Sequence, residues 1–419
     1  MSVRPASMDL TYGRAVAFAA PVFLLFVALE AIINRARGTH YCNLADALTS
    51  VGCGTAFIGA RVTFGFTGLI AYDFVVKQWA PMTLPVTHWV TWVFAFLLYD
   101  LCYYWWHRLS HTVAFLWGAH VVHHQSEEFN LTTALRQPAT AFLSGWMFYL
   151  PLAFCGVPIS VYLAVGVAQL FYQFWPHTRH IGRLGFLDRW VQTPSNHRVH
   201  HARNLEYVNK NYVGIFLIWD RLVGTFEEER DDPPCEYGIS EPVSAWNPVW
   251  ANLHFYWRLA IVSWRTRSWL DKFRVWFAAP GWLPADVRSS PAAPVQSRFS
   301  SRRFAGAAIY ALVQFAAAIM ANQHFLSVFS EQTLTANVLY FGFILITLFT
   351  VSAVIEGRSE FFPLEAARLA AVAGAVTITG QWFGFEQTGA IAAFAIASLL
   401  WFAITWSGLT SRLVQVEQH

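Results

Sequence analysis

The sequence predicts an all-α, polytopic membrane helical bundle, and three observations carry that prediction. Only 13% of the 419 residues are charged while 56% are hydrophobic, whereas a soluble chain usually carries about 25% charged residues. Mean hydropathy is +0.38. Apolar runs of roughly 20 residues, the length that crosses a hydrocarbon core of about 30 Å, recur along most of the chain. The net charge of +3, with no basic run beside stacking aromatics, argues against nucleic acid as a partner. Five cysteines without a C-x-x-C pair indicate neither a disulfide framework nor a thiolate zinc site.

The first run, 15–33, is interrupted only by Glu30. It ends in Asn34-Arg35-Ala36-Arg37, so it reads as a span rather than a cleaved signal. Residues 51–76 are glycine-rich, carry Arg61 and Asp73, and read as a span or a re-entrant element. The run 84–106 is the third. Residues 139–175 hold Gly156-Val157-Pro158 near their middle and read as two shorter helices joined by a tight turn. Four runs at 304–321, 334–355, 363–383 and 389–406 close the chain, for about nine spans in all.

Between 176 and 303 the chain turns polar, with Arg179, Arg183, Arg198, Arg203, Lys210, Arg265, Arg267, Lys272 and Arg274. Positive charge favours the cytoplasmic side, so this block is expected there as a histidine-rich helical cap. Residues 212–219 read as an interfacial helix. The stretch 285–303, rich in Pro, Ser, Ala and Arg, reads as a linker. It divides a first membrane domain, 1–284, from a C-terminal four-helix membrane module, 304–419.

Ten of the 15 histidines fall between His107 and His201, under a quarter of the chain. They form groups: His107 with His111; His120, His123 and His124; His177 with His180; His197, His200 and His201. On a helix, residues three or four apart share a face. The additional histidine of each H-x-x-H-H unit points about 100° away, so one helix can serve two neighbouring metals. Ten neutral imidazoles suit two divalent transition metals with about five nitrogens each. Iron fits better than zinc, because activating O₂ requires a redox change that zinc does not offer. The scattered His40, His88, His254, His324 and His419 have no helically spaced partner and read as packing or interfacial residues. His107 and His177 each directly follow an apolar run, which places the metals at the membrane face, within reach of a lipid carbon.

The pattern H-x-x-x-H, H-x-x-H-H, H-x-x-H-H resembles the fatty acid hydroxylase/sterol desaturase superfamily of membrane di-iron enzymes. The stretches 126–137, 172–178, 193–201, 210–212 and 218–226 are similar to the alkylglycerol monooxygenase family within it. The likeness covers roughly residues 99–226. It implies an O₂-dependent lipid monooxygenase with two iron ions. Such an enzyme hydroxylates the ether-linked carbon of an alkylglycerol, and the product collapses to a fatty aldehyde and a glycerol fragment. It also implies tetrahydrobiopterin as the electron donor of the animal enzymes, leaving open a reductase in its place. By residue match, His107, His111, His120, His123, His124, His197, His200 and His201 carry over as ligands, His177 matches, and Glu127 carries over as the functional acid. His180 departs from the animal pattern, where that position is aliphatic, although hydroxylases of the wider superfamily place a second histidine nearby. Asn130 and Arg136 are expected to fix Glu127 or a polar headgroup. Alternatives within the superfamily are sterol desaturation and hydroxylation of a fatty acyl chain or an aminolipid. A metal transporter would place its ligands near mid-membrane in broken helices, whereas these histidines lie at span ends and in polar connections.

Overall fold

Long apolar helices set the frame in the computed structural model of the protein, which describes residues 5–288, 299 and 306–416. The described residues form α-helices, a few 3-10 turns and three isolated bridges, with no strand among them. The chain divides into two units. The second takes the chain from Phe299 onward together with Ser244–Trp250, and the first takes the remainder. The expected linker at 285–303 lies largely outside the described residues. Ser244–Trp250, which the sequence reading placed in the first domain, belongs to the second because its backbone is tied there. The Trp246 amide donates to the Glu356 carboxylate, and the Asn247 side chain donates to the Phe349 carbonyl at 3.3 Å.

The first unit opens with α1 (Pro5–Arg37), followed by α2 (Leu44–Phe64) and α3 (Phe66–Gln78). The glycine-rich run is therefore two helices meeting at Gly65, where an added Cβ would lie 2.3 Å from the Arg61 carbonyl oxygen. Next come α4 (Trp89–Thr112), α5 (Ala114–His124) and the one-turn α6 (Leu131–Ala134). The two helices expected across 139–175 are realised unequally. The first half breaks into 3-10 turns at Ala139–Leu143 and Gly145–Tyr149 and the five-residue α7 (Leu150–Phe154). Pro138 and Pro151 flank these turns and remove backbone donors that a continuous helix would use. The tight turn is present at Gly156 (φ 76°), where a Cβ would strike the Met82 carbonyl oxygen at 1.8 Å. The second half is the regular α8 (Ile159–Phe174). Tyr72, Ala95, Leu152, Val161 and Tyr162 form the core between α3, α4, α7 and α8.

The polar block folds as α9 (Pro194–His201), α10 (Ile218–Val223), α11 (Pro248–Arg265) and α12 (Trp269–Phe277). The interfacial helix expected at 212–219 begins only at Ile218. Ahead of it, the amides of Tyr212 and Val213 donate to Asp220, and those of Ile215 and Phe216 donate to Asp100, at 2.9–3.0 Å. Two buried carboxylates thus take the hydrogen bonds that a helix would have used.

The second unit holds α13 (Ala307–Val328), α14 (Leu334–Glu356), α15 (Phe362–Thr379) and α16 (Thr388–Val416). Its core joins Tyr310, Val354, Phe362, Leu369 and Phe402. Among the described residues, four helical stretches are both long and apolar enough to cross a membrane: Leu44–Phe64, Ala307–Val328, Leu334–Glu356 and Ser359–Thr379. The protein is an integral membrane protein.

Candidate metal centre

Four chain segments bring nine histidines together. His107 and His111 stand one turn apart near the end of α4, and a single extended residue, Val113, turns the chain into α5 with His120, His123 and His124. Thr193 caps α9 through its side chain and Pro194 occupies the first turn, where a missing amide hydrogen costs nothing. All eight residues of α9 are buried, including His197, His200 and His201. His177 stands just beyond α8, its Nδ1 2.8 Å from the Gln173 carbonyl oxygen.

The nine rings sort into two groups. His107, His111, His120, His124 and His200 form one, and His123, His177, His197 and His201 form the other; within each, the ligand atoms lie within 4.8 Å of one another. Each H-x-x-H-H unit serves both groups, but the residues that stay together are four apart, His120 with His124 and His197 with His201. The middle histidine of each unit crosses to the other group. Helix geometry explains this: residues i and i+4 differ by about 40°, whereas i+3 and i+4 differ by about 100°.

Hydrogen-bond partners assign the ring protons. Nδ1 of His107, His123, His177 and His200 lies 2.6–3.2 Å from the carbonyl oxygens of Tyr212, Arg136, Gln173 and Lys210. Each Nδ1 must therefore carry the hydrogen, leaving Nε2 as a lone pair aimed inward. Yet His177 Nε2 is 3.2 Å from His123 Nε2, so two acceptors face each other. Other Nε2 pairs are as close: His107 with His120 at 2.9 Å, His120 with His124 at 3.0 Å, and His177 with His197 at 2.9 Å. Nε2 of His111, His200 and His201 is buried without a hydrogen-bond partner. Such an array is costly unless a cation sits among the lone pairs. Nitrogens at metal distances of about 2.1 Å and right angles would stand about 3.0 Å apart, which these spacings match. The residues fit a two-metal site.

Protons do not supply that cation at neutral pH. Burial, with a smaller contribution from nearby histidines, holds His120, His124, His197 and His201 well below their usual pKa. Burial takes His123 down to about 3 and His200 to about 4. The rings are neutral, the state that binds metal.

Carboxylates behind the histidines fix the carbonyls they touch. Asp220 holds the Tyr212 amide, and through that residue's carbonyl it sets His107. Arg136 accepts from His123 through its carbonyl, pairs with Asp46 at 3.1 Å, and donates to the Val122 carbonyl at 3.0 Å. Asn130 caps α6 and donates to the Tyr41 carbonyl at 2.7 Å. Asn130 and Arg136, expected to fix Glu127 or a polar headgroup, brace the scaffold through these bonds. Glu127 itself is partly exposed beside Gly238. His180 is in neither group; its Nε2 contacts the Asn34 side-chain oxygen at 2.9 Å. Sequence reasoning missed Glu30, Asp46, Asp100 and Asp220. The one signal available was that a carboxylate within or beside an apolar run must have a partner.

Residues 92–225 match the fatty acid hydroxylase family. The chain is 34% identical to human alkylglycerol monooxygenase over 357 residues, covering 84% of this chain and 80% of that one. It is 33% identical to the zebrafish (Danio rerio) alkylglycerol monooxygenase over 365 residues, 84% and 79% of the two chains. The chain belongs to the fatty acid hydroxylase family. Like that family's members it is an oxygen-dependent oxidoreductase, a lipid monooxygenase, which sets aside the transporter alternative. An ornithine lipid hydroxylase of Rhizobium tropici is 28% identical over 242 residues, 53% of this chain and 71% of its own. No solved structure matches the chain. All nine clustered histidines lie within the family match.

Proposed function

We propose that this protein cleaves the ether bond of alkylglycerols, as the name of its animal relatives implies, at a di-iron centre held by the nine clustered histidines. The observation that carries the reading is the pair of neutral, inward-facing histidine groups in a chain aligned over four fifths of an alkylglycerol monooxygenase. Two irons bound there would supply the redox change that activates O₂ and places one oxygen atom on a C–H bond. The reaction consumes O₂, two electrons and two protons, releases water, and leaves a hydroxyl on the ether carbon. That hemiacetal carbon keeps its oxygen as the C–O bond to glycerol breaks, giving a fatty aldehyde and the free glycerol hydroxyl. Tetrahydrobiopterin is the proposed two-electron donor.

The chain's own residues have three tasks in this scheme. Backbone carbonyls keep Nδ1 protonated, so that Nε2 faces the metals. The burial of α9 and the end of α5 keeps bulk water from the site. Glu127, three residues beyond His124 and partly exposed, moves protons between solvent and the buried centre. His180 is not assigned as a ligand. We place the centre on the cytoplasmic face because the polar block 176–303, which carries four of the nine clustered histidines, is rich in Arg and Lys. The layout of about nine spans adds α1, α4, α8, α16 and the short helices of Gly145–Phe154 to the four membrane-length helices.

The test is O₂-dependent release of fatty aldehyde from a 1-O-alkylglycerol by purified membranes, with and without tetrahydrobiopterin, against His200→Ala. Pterin-dependent aldehyde from the wild type alone supports the proposal. Iron-loaded protein that yields no aldehyde but hydroxylates an aminolipid would favour the second reading, to which the ornithine lipid hydroxylase similarity points.

A further inference from the structure

We propose that α1 is a positioning strap for the second histidine group, with Glu30 as its clasp, so that occupancy of that metal site depends on a carboxylate from the N-terminal helix. The inference rests on the two-metal reading and concerns what holds one of the two sites together.

The two groups are not built alike. Every histidine of the first group stands on a helix, and so do three of the four in the second. His177 is the exception, standing in the loop that follows α8. Its hydrogen bond to the Gln173 carbonyl orients the ring, but a loop residue keeps its place only as well as the loop does. Residues 174–180 therefore need an external anchor, and α1 supplies it along one face.

Phe23, Glu30 and Asn34 are spaced i, i+7 and i+11, which puts them on one stripe of α1. In the same order they meet the last residue of α8 and two residues of the loop after it. The Phe23 ring stacks on Phe174 with centroids 4.2 Å apart. Glu30 Oε1 accepts from the Thr178 hydroxyl at 2.6 Å. The Asn34 side-chain oxygen lies 2.9 Å from His180 Nε2. Thr178 is the neighbour of His177. Glu30 Oε2 accepts from the Leu131 amide at 2.7 Å, at the first turn of α6. One carboxylate, only 6% exposed, thus ties the His177 loop to the segment that leaves α5.

This assigns work to two residues the metal reading does not use. Glu30, the acid inside the first apolar run, is the clasp. His180 is the far end of the strap, which accounts for a histidine beside a metal ligand that joins neither group. Among the described residues, α1 makes no such contact with the first group, whose histidines stand on α4, α5 and α9.

The strap is tested by counting iron per chain in the purified full-length protein. The wild type is expected to hold about two and Glu30→Ala about one, since an outer partner is worth about 10–100-fold in metal affinity. Thr178→Ala should behave like Glu30→Ala, and Thr178→Ser, which keeps the hydroxyl, should restore the wild-type count. This pair also serves if Glu30→Ala fails to insert. Combination variants separate a local from a general effect. Glu30→Ala added to His123→Ala should lose no further iron, because both act on the second site, whereas Glu30→Ala added to His111→Ala should empty both. Two irons in both Glu30→Ala and Thr178→Ala would overturn the strap and leave the metal reading intact. Further iron loss on adding Glu30→Ala to His123→Ala would also overturn it, as general destabilisation. A folded wild type without iron would overturn the metal reading and the strap together.

Discussion

Each of the two units buries a polar centre, and the two centres are opposite in kind. In the second unit, Arg368 and Glu365 of α15 form an ion pair at 2.7 Å, with side chains 5% and 0% exposed. Its neighbours complete it. Tyr310 and Thr350 donate to Glu365, Arg368 reaches Gln314 at 2.9 Å, and Gln314 donates to Ser398 at 2.8 Å. All four helices of that unit take part, and the charges cancel among themselves. In the first unit, nine neutral histidines turn lone pairs toward one another, and three of them bury an Nε2 without a partner. The contrast teaches how to read buried polarity. A centre that satisfies itself is scaffold, whereas one that leaves its acceptors facing each other is a receptor for something positive.

Substitutions should separate the two kinds of centre. The largest effect is expected from His123→Ala or His200→Ala, which should lower aldehyde formation at least about 10³-fold, several kcal/mol of lost stabilisation, and reduce bound iron, with insertion unchanged. Turnover assays alongside metal analysis check this, and wild-type turnover in either variant would end the di-iron assignment. Arg368→Ala should do the reverse. Leaving Glu365 buried and unpaired costs about 3–5 kcal/mol, read as a lower unfolding temperature with iron per chain unchanged, while a paired apolar replacement of both residues should be close to neutral. Iron loss in Arg368→Ala would blur the distinction.

A smaller effect is expected behind the first group. Asp220→Ala frees the Tyr212 backbone that fixes His107, so activity should fall about 10–100-fold, and Asp220→Asn should recover part of it. The smallest effect concerns pH. His200 and His123 have folded pKa values of about 4 and about 3, below the ordinary 6.5. As pH falls below about 6.5, the unfolded chain takes up protons that the folded one refuses, so stability is lost progressively toward about pH 4. The metal-free protein should therefore unfold at lower temperature at pH 5 than at pH 7.5. Arg368→Ala should not change that slope, but His200→Ala should flatten it.

Much of the first centre was legible because histidine spacing on a helix is a one-dimensional property. The pairs His107–His111 and His197–His201 declare a shared face, and H-x-x-H-H declares a second face. Which histidine crosses over follows from 100° per residue. Helical spacing could not divide His177 from His180, which stand off the helices where no periodicity applies. His177 was reached through its place after an apolar run and its match to the family pattern, and His180 turns to Asn34 instead. Nor could the sequence tell that residues 212–217 would stay outside a helix, because the carboxylate of Asp100 that holds Ile215 and Phe216 lies over a hundred residues away. The break of 139–154 into short turns was written in Pro138 and Pro151, but the apolar composition outweighed them. The Arg368–Glu365 centre lay hidden in an apolar run, since a pair three residues apart looks the same in sequence whether it is buried or solvated.

The most direct test is iron per chain in the purified full-length protein, with the wild type compared with His123→Ala/His200→Ala and with Arg368→Met/Glu365→Leu. About two irons are expected in the wild type and in the Arg368→Met/Glu365→Leu protein, and close to none when a ligand is removed from each group. A folded wild type that holds no iron, or a histidine variant that keeps both, would contradict the di-iron assignment.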